Sequence, residues 1–244
     1  MAALVGTLVA GCAVREPTPS APRPHFEIPV DNCSVQQISV QADALVATGL
    51  RDAGYRRVVV DSCASSPARD AAARALGARG IELETTTPER AYEVRVIPAV
   101  DQPERVRRSM TRAVMVAEQI VAWGEPGIVP PDVRAVLANP TVLALAGDDR
   151  VSVGGRVPAR AVRAEPAVGE PAEVWSRAIG RKGLIVSLHN PRTTPATVTV
   201  STGALGLAGQ IRGIDAWTGR EYSSSSGWLG GEVGAGDTLL IQIV

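Results

Sequence analysis

The amino-acid sequence predicts an α/β fold in two parts, helices alternating with parallel strands and then an antiparallel β-sandwich. Up to about residue 147 the apolar spacing switches between a helical period and short β-branched runs. Beyond about residue 165 the helical spacing is gone, and short β-rich runs separated by turn signals replace it. The 244 residues are 45% apolar and 20% charged, a balance suited to burying a core.

The first stretch, "MAALVGTLVAGC", is too short for a membrane span, which needs about 20 apolar residues. It is expected to act as a signal peptide over residues 1–12, although no Lys or Arg precedes its apolar run. "LVAGC" resembles the lipobox of bacterial lipoproteins, which implies lipidation of Cys12 and an exported, membrane-anchored protein. The Pro-rich residues 13–24 read as an extended tether.

A helix is expected from Val35, with Ile38, Ala42, Leu45, Val46 and Gly49 on one stripe, and "RDAGY" then turns into a strand at Val58, Val59 and Val60. A short Ala-rich helix over about 67–76 leads into the strand "IELET", and "YEVRVIPAV" supplies another. A long helix starts near Pro103, with Val106, Met110, Val114 and Ala117 on its apolar stripe. Arg105, Arg108 and Arg112 form a second stripe, either a solvated face or a surface for phosphates. "QIVAW" is a strand, and "PPDVRAVLANP" a helix opened by Pro131 and ended by Asn139-Pro140.

Periodicity breaks down between Asp148 and Pro171, the expected boundary between a 25–150 domain and a 165–244 domain. Five strands are expected beyond it: "EVWSRAI", "GLIVSLHN", "ATVTVS", "IRGIDAW" and "DTLLIQIV". "SSSSGWLGG" reads as a local low-complexity turn. Trp175, Trp217 and Trp228 fall in or near this region, where core packing competes with stacking on a sugar ring.

Several function classes are disfavoured. Lys plus Arg equals Asp plus Glu at 25 each, so no overall field attracts nucleic acid, and no nucleic-acid partner is expected. No zinc-like spacing exists, and neither a metal nor a cofactor is expected. A Ser-His-Asp arrangement would need His25 on the tether or His189 in the sandwich, and neither lies in a nucleophile motif. Beyond Cys12, Cys33 and Cys63 are either one disulfide in an oxidising compartment or two separate thiols.

Asp61 follows three valines where a buried parallel strand hands over to a loop, the place where barrel enzymes set catalytic and binding side chains. Glu84 and Asp101 also sit near strand ends. Retaining glycoside hydrolysis needs two carboxyl groups about 5 to 5.5 Å apart, which a pair of these could supply. A carboxylate at such a position is equally an ordinary turn former or helix cap.

"ADALVATGLRDAGYRRVVVDSC" resembles the first barrel helix and second strand of family 27 glycoside hydrolases, the α-galactosidase (melibiase) family. "NCSVQQIS" is similar to the family's segment after strand one, and "MTRAVMVAEQIVAWGEPGIVPPDVRAVLANPTVLALAGD" to its seventh helix, eighth strand and closing helix. "IVSLHNPRTTPATVTVS", "DAWTGRE" and "AGDTLLIQIV" are like its C-terminal sandwich. The resemblance implies a (β/α) barrel, a Cys33–Cys63 disulfide, and a substrate-gripping role for Asp61, with Ser62 replacing the second aspartate of the family's pair.

The barrel is expected to be truncated. Eight units need at least about 200 residues, and residues 25–150 are too few. The piece resembling strand three is followed directly by one resembling strand seven. Both catalytic aspartates of the family lie after strands that are skipped, so no catalytic residue carries over. The expectation is a non-catalytic envelope protein with a carbohydrate or protein partner. The alternatives are a residual glycosidase or galactoside-binding lectin, and a protein-interaction subunit whose exposed sheet edges are covered by partner chains or by self-association.

Overall fold

The computed structural model describes residues 24–28, 34–60, 66–84, 91–95, 102–147, 153–180 and 183–243. Cys12, Cys33, Asp61, Ser62, Cys63 and Asp101 lie outside the described residues, and with them the expected lipidation, disulfide and aspartate-serine pair.

Five strands form one all-parallel sheet: β1 (His25–Ile28), β2 (Arg57–Val60), β3 (Glu82–Glu84), β4 (Ala91–Arg95) and β5 (Gln119–Trp123). Their order is β3-β2-β1-β5-β4, so the last strand lies beside the first. Among the described residues β3 and β4 are the two edges, and no pairing closes the sheet. Parallel neighbours need long crossovers, and helices supply them. These are α1 (Val35–Ala47), α2 (Leu50–Ala53), α3 (Ser66–Gly77) and α4 (Pro103–Val116), followed after β5 by α5 (Pro131–Leu137) and α6 (Pro140–Ala146).

The helices begin and end where local chemistry directs. Ser34 caps α1 by accepting from the Gln37 amide, and Asn139 caps α6 by accepting from the Val142 amide at 3.0 Å. Gly49, at φ 76°, separates α1 from α2, so part of the expected "RDAGY" turn is a helical turn. Ala117, assigned to the α4 stripe from sequence, is instead its left-handed cap at φ 58°.

Strand alternation sorts the parallel sheet into two faces. Phe26, Ile28, Val58, Val60, Ile120 and Ala122 point into a core shared with Ile38, Leu45, Met110 and Val114 of the helices. His25, Glu27, Arg57, Val59, Glu84, Gln119, Val121 and Trp123 occupy the other parity. Val59 and Val121 are buried yet belong to neither apolar cluster, as that opposite face requires.

Two antiparallel sheets follow. One holds β7 (Val162–Glu165), β10 (Ala196–Ser201) and β13 (Trp228–Val233), in the order β13-β10-β7. The other holds β6 (Gly155–Arg156), β8 (Glu173–Ile179), β9 (Gly183–His189), β11 (Ile211–Asp215), β12 (Glu221–Ser224) and β14 (Thr238–Ile243), in the order β12-β11-β14-β9-β8-β6. Val174, Val186, Leu188 and Ile241 of the larger sheet share an apolar core with Val198, Val200, Leu229 and Val233 of the smaller. The other face of the larger sheet sends Ile179, Ile185 and Leu240 into the helical core. Helix α4 therefore touches the parallel sheet through β4 and β5, and the larger antiparallel sheet through β8, β9 and β14.

Two sequence expectations are corrected. "HFEI", expected to continue the tether, is the central strand of the parallel sheet, and His25 within it is fully buried. "WLGG" is not part of a turn; it begins β13, which pairs along its whole length with β10.

Candidate functional site

The face of the parallel sheet away from the helical core carries polar side chains in register. Glu84 on β3 is level with Val59 on β2, Val59 with Glu27 on β1, and Glu27 with Trp123 on β5. Neighbouring parallel strands lie about 4.8 Å apart, which sets the Cα atoms of Glu27 and Glu84 about 10 Å apart with Val59 between them. This row lies at the C-terminal end of the strands, the end at which open and closed parallel sheets bind ligands.

His25 stands one level below Glu27 on the same face, and its Nε2 is bonded to Oε2 of Glu84 across β2. The imidazole is fully buried, whereas the Glu84 side chain keeps 30% exposure. Arg57, level with His25, places its Nε 3.5 Å from the Glu82 carboxylate. The row thus offers carboxylate oxygens that accept hydrogen bonds and a half-buried indole that gives a flat apolar surface. Among the described residues, no cluster of His, Cys, Asp or Glu has the arrangement of a metal site.

Of the three carboxylates singled out from sequence, only Glu84 is described, and it is engaged by His25. Asp61 follows β2 directly in sequence but lies outside the described residues. Sequence reasoning missed Glu27 and Trp123. Strict alternation in "HFEI", with Phe26 and Ile28 inward to the helices, was the signal that would have exposed Glu27.

The tryptophans separate. Trp175 and Trp217 are half-buried against the helical core, and Trp217 Nε1 donates to Thr111 Oγ1 on α4 at 3.3 Å. Trp228 carries the Arg163 guanidinium 3.7 Å above its ring.

No protein-family model matches the sequence, and no curated protein matches it. Solved structures do. Superposition on α-galactosidase I of Mortierella vinacea covers 92% of this chain and 97% of that chain, with a TM-score of 0.65 and 12% identity. The α-galactosidase of Saccharomyces cerevisiae solved with raffinose gives a TM-score of 0.70 at 10% identity, over 92% of this chain and 97% of that chain. At such identities the likeness is one of fold. The chain has an α-galactosidase-like fold, a mixed α/β architecture of a parallel sheet and antiparallel sheets.

Proposed function

We propose that this chain is a non-catalytic, glycan-binding protein of the cell envelope that uses an α-galactosidase-like fold without its hydrolysis. The observation that carries the reading is the row Glu84–Val59–Glu27–Trp123 with Glu84 held by His25. Retaining hydrolysis requires one carboxylate free to attack and one carboxylic acid free to donate, about 5 to 5.5 Å apart. Here an apolar side chain separates the two glutamates, and a buried imidazole occupies one of them. Carboxylates beside a half-buried indole suit a different task, accepting sugar hydroxyls while a ring face covers the pyranose. Lipidation at Cys12, with residues 13–24 as a tether, would hold this face at the outer side of a membrane.

A second reading rests on the same row. Inverting hydrolysis tolerates carboxyl groups about 6.5 to 9.5 Å apart, and two glutamates separated by one strand approach that range. Purified protein is assayed for nitrophenol release from aryl α-galactosides and, by calorimetry, for galactoside binding. The expected result is no release above the uncatalysed rate, with binding that weakens at least tenfold in Glu27→Gln and Trp123→Ala. Release that disappears in Glu27→Gln, Glu84→Gln or Asp61→Asn would overturn the non-catalytic reading in favour of the second.

A further inference from the structure

A cavity lies between α4 and the larger antiparallel sheet. Its volume is about 310 Å³, at the small end of the roughly 300 to 1,000 Å³ of small-molecule pockets. One wall is a single face of α4, on which Arg108, Thr111, Arg112 and Met115 follow helical spacing. The other wall is two adjacent rows of the sheet: Glu173, His189 and Thr238 in one, Arg156, Trp175 and Ser187 in the next.

Charge on these walls is lopsided. The described lining residues include Arg108, Arg112 and Arg156 but a single carboxylate, Glu173, whose Oε1 lies 3.5 Å from Arg156. Arg108 and Arg112 face the cavity from one side of one helix, and guanidinium forks are the side chains best suited to carboxylate and phosphate oxygens.

The second observation is His189. It is only 6% exposed, and its Nδ1 lies 2.9 Å from the Asp237 carbonyl, which can only accept, so Nδ1 carries the proton. Nε2 is then a bare acceptor, buried, with no hydrogen-bond partner among the described residues. A buried acceptor left in this state is unfavourable, and a ligand O–H would satisfy it. The same wall offers the Ser187 hydroxyl and the half-buried Trp175 indole.

We infer that this cavity binds a single sugar ring bearing an anionic substituent, a carboxylate or a phosphate ester. The guanidiniums of Arg108 and Arg112 take the anion, His189 Nε2 accepts from a ring hydroxyl, and Trp175 covers the apolar face of the ring. The site is separate from the Glu27–Glu84 row and does not depend on it.

The test titrates glucuronate, glucose 6-phosphate and glucose into the full chain by calorimetry, with inorganic phosphate as a ring-free anion. At least one anionic sugar is expected to bind ten times more tightly than both glucose and phosphate, and to lose at least tenfold in Arg108→Gln and Arg112→Gln. Both arginines are exposed, so these variants are expected to fold. The ¹⁵N resonance of His189 Nε2 is expected to move on binding, as its acceptor role in the site requires. The carboxylate and phosphate arms report which anion is preferred. Equal affinity for glucose, equal affinity for inorganic phosphate, or no binding of either anionic sugar at about a thousandfold excess over protein would overturn the inference.

Discussion

Arg107 on α4 and Asp237 just before β14 are joined by two parallel N–H···O bonds of 2.8 and 2.7 Å, although 130 residues separate them in sequence. Asp237 is more than a partner for one arginine. Its Oδ1 also accepts from the Thr238 amide, and its carbonyl accepts from His189 Nδ1 and the Asn190 amide. The pair therefore ties the helix that backs the parallel sheet to the loop that orients His189. Asp237 holds the Arg107 guanidinium above its already high ordinary value, because the charged form makes both bonds.

Removing that tie has a measurable cost. Charge-assisted bonds are worth about 1.5 to 3 kcal/mol, and partial exposure of both side chains, 25% and 24%, discounts this to about 1 to 2 kcal/mol. Arg107→Ala is expected to lower the Tm by about 2 to 8 °C at this chain length. Calorimetry of Arg107→Ala, Asp237→Ala and the double variant checks it. Additive losses would show that the two residues do not act as a pair.

Tyr55 is a second long-range tie. Its ring is fully buried, edge-on to Phe26 at 6.0 Å between centroids, and its hydroxyl donates to the Leu137 carbonyl at the end of α5. Burial pushes the phenol far above its ordinary value of 10.0, so it remains a donor at any working pH. Tyr55→Phe keeps the packing and orphans the carbonyl, and is expected to cost about 1 to 3 kcal/mol. Urea unfolding with an unchanged midpoint would mean that the carbonyl finds another donor.

Much of this architecture is legible in the sequence because it depends on local periodicity. The stripe Val106, Met110 and Val114 marks α4, and the valine run 58–60 marks β2, since each pattern repeats over neighbouring residues. β1 is not legible, because a four-residue run in which His25 and Glu27 alternate with Phe26 and Ile28 is too short to stand apart from the Pro-rich stretch before it. Only the sheet register reveals that this polarity is one face of a buried strand. The candidate sites divide in the same way. Glu84 is visible as a strand end and Arg108 and Arg112 as a helical stripe. What meets them, His25 for Glu84 and the Trp175–His189 wall for the arginines, comes from at least 59 residues away.

Gly230 shows why β13 was hidden and what the glycine is for. Glycines are usually poor in strands, so "WLGG" reads as a turn. Here Gly230 sits at φ 140°, and a Cβ on it would lie 2.9 Å from both Leu188 Cδ2 and Thr199 Cα and drive into the Val198 carbonyl. The strand pair β10–β13 can close only where no side chain intervenes. Gly230→Ala is expected to destabilise the chain by more than about 3 kcal/mol, through strain and overpacking together. Gly227, in the turn before β13, has open space around its Cβ position, so Gly227→Ala is expected to cost only the strain of φ 82°. Equal losses for the two variants by chemical denaturation would contradict this account of Gly230.

His189 gives the pH dependence a sign. Burial, and after it the positive charge of Arg108, hold its imidazole below the ordinary value of 6.5, against the opposing pull of the Asp237 carbonyl, Glu173 and Glu170. The folded chain thus refuses a proton that the unfolded chain accepts. Above about pH 6.5 both states are neutral at this position, and its contribution is fully present; as the pH falls below that value, the unfolded state gains protons first and stability declines. His189→Gln cannot take up that proton, so the difference in urea midpoint between wild type and variant is expected to shrink as the pH is lowered from about 7.5 to about 5.5. A difference that stays constant would locate the pH dependence elsewhere.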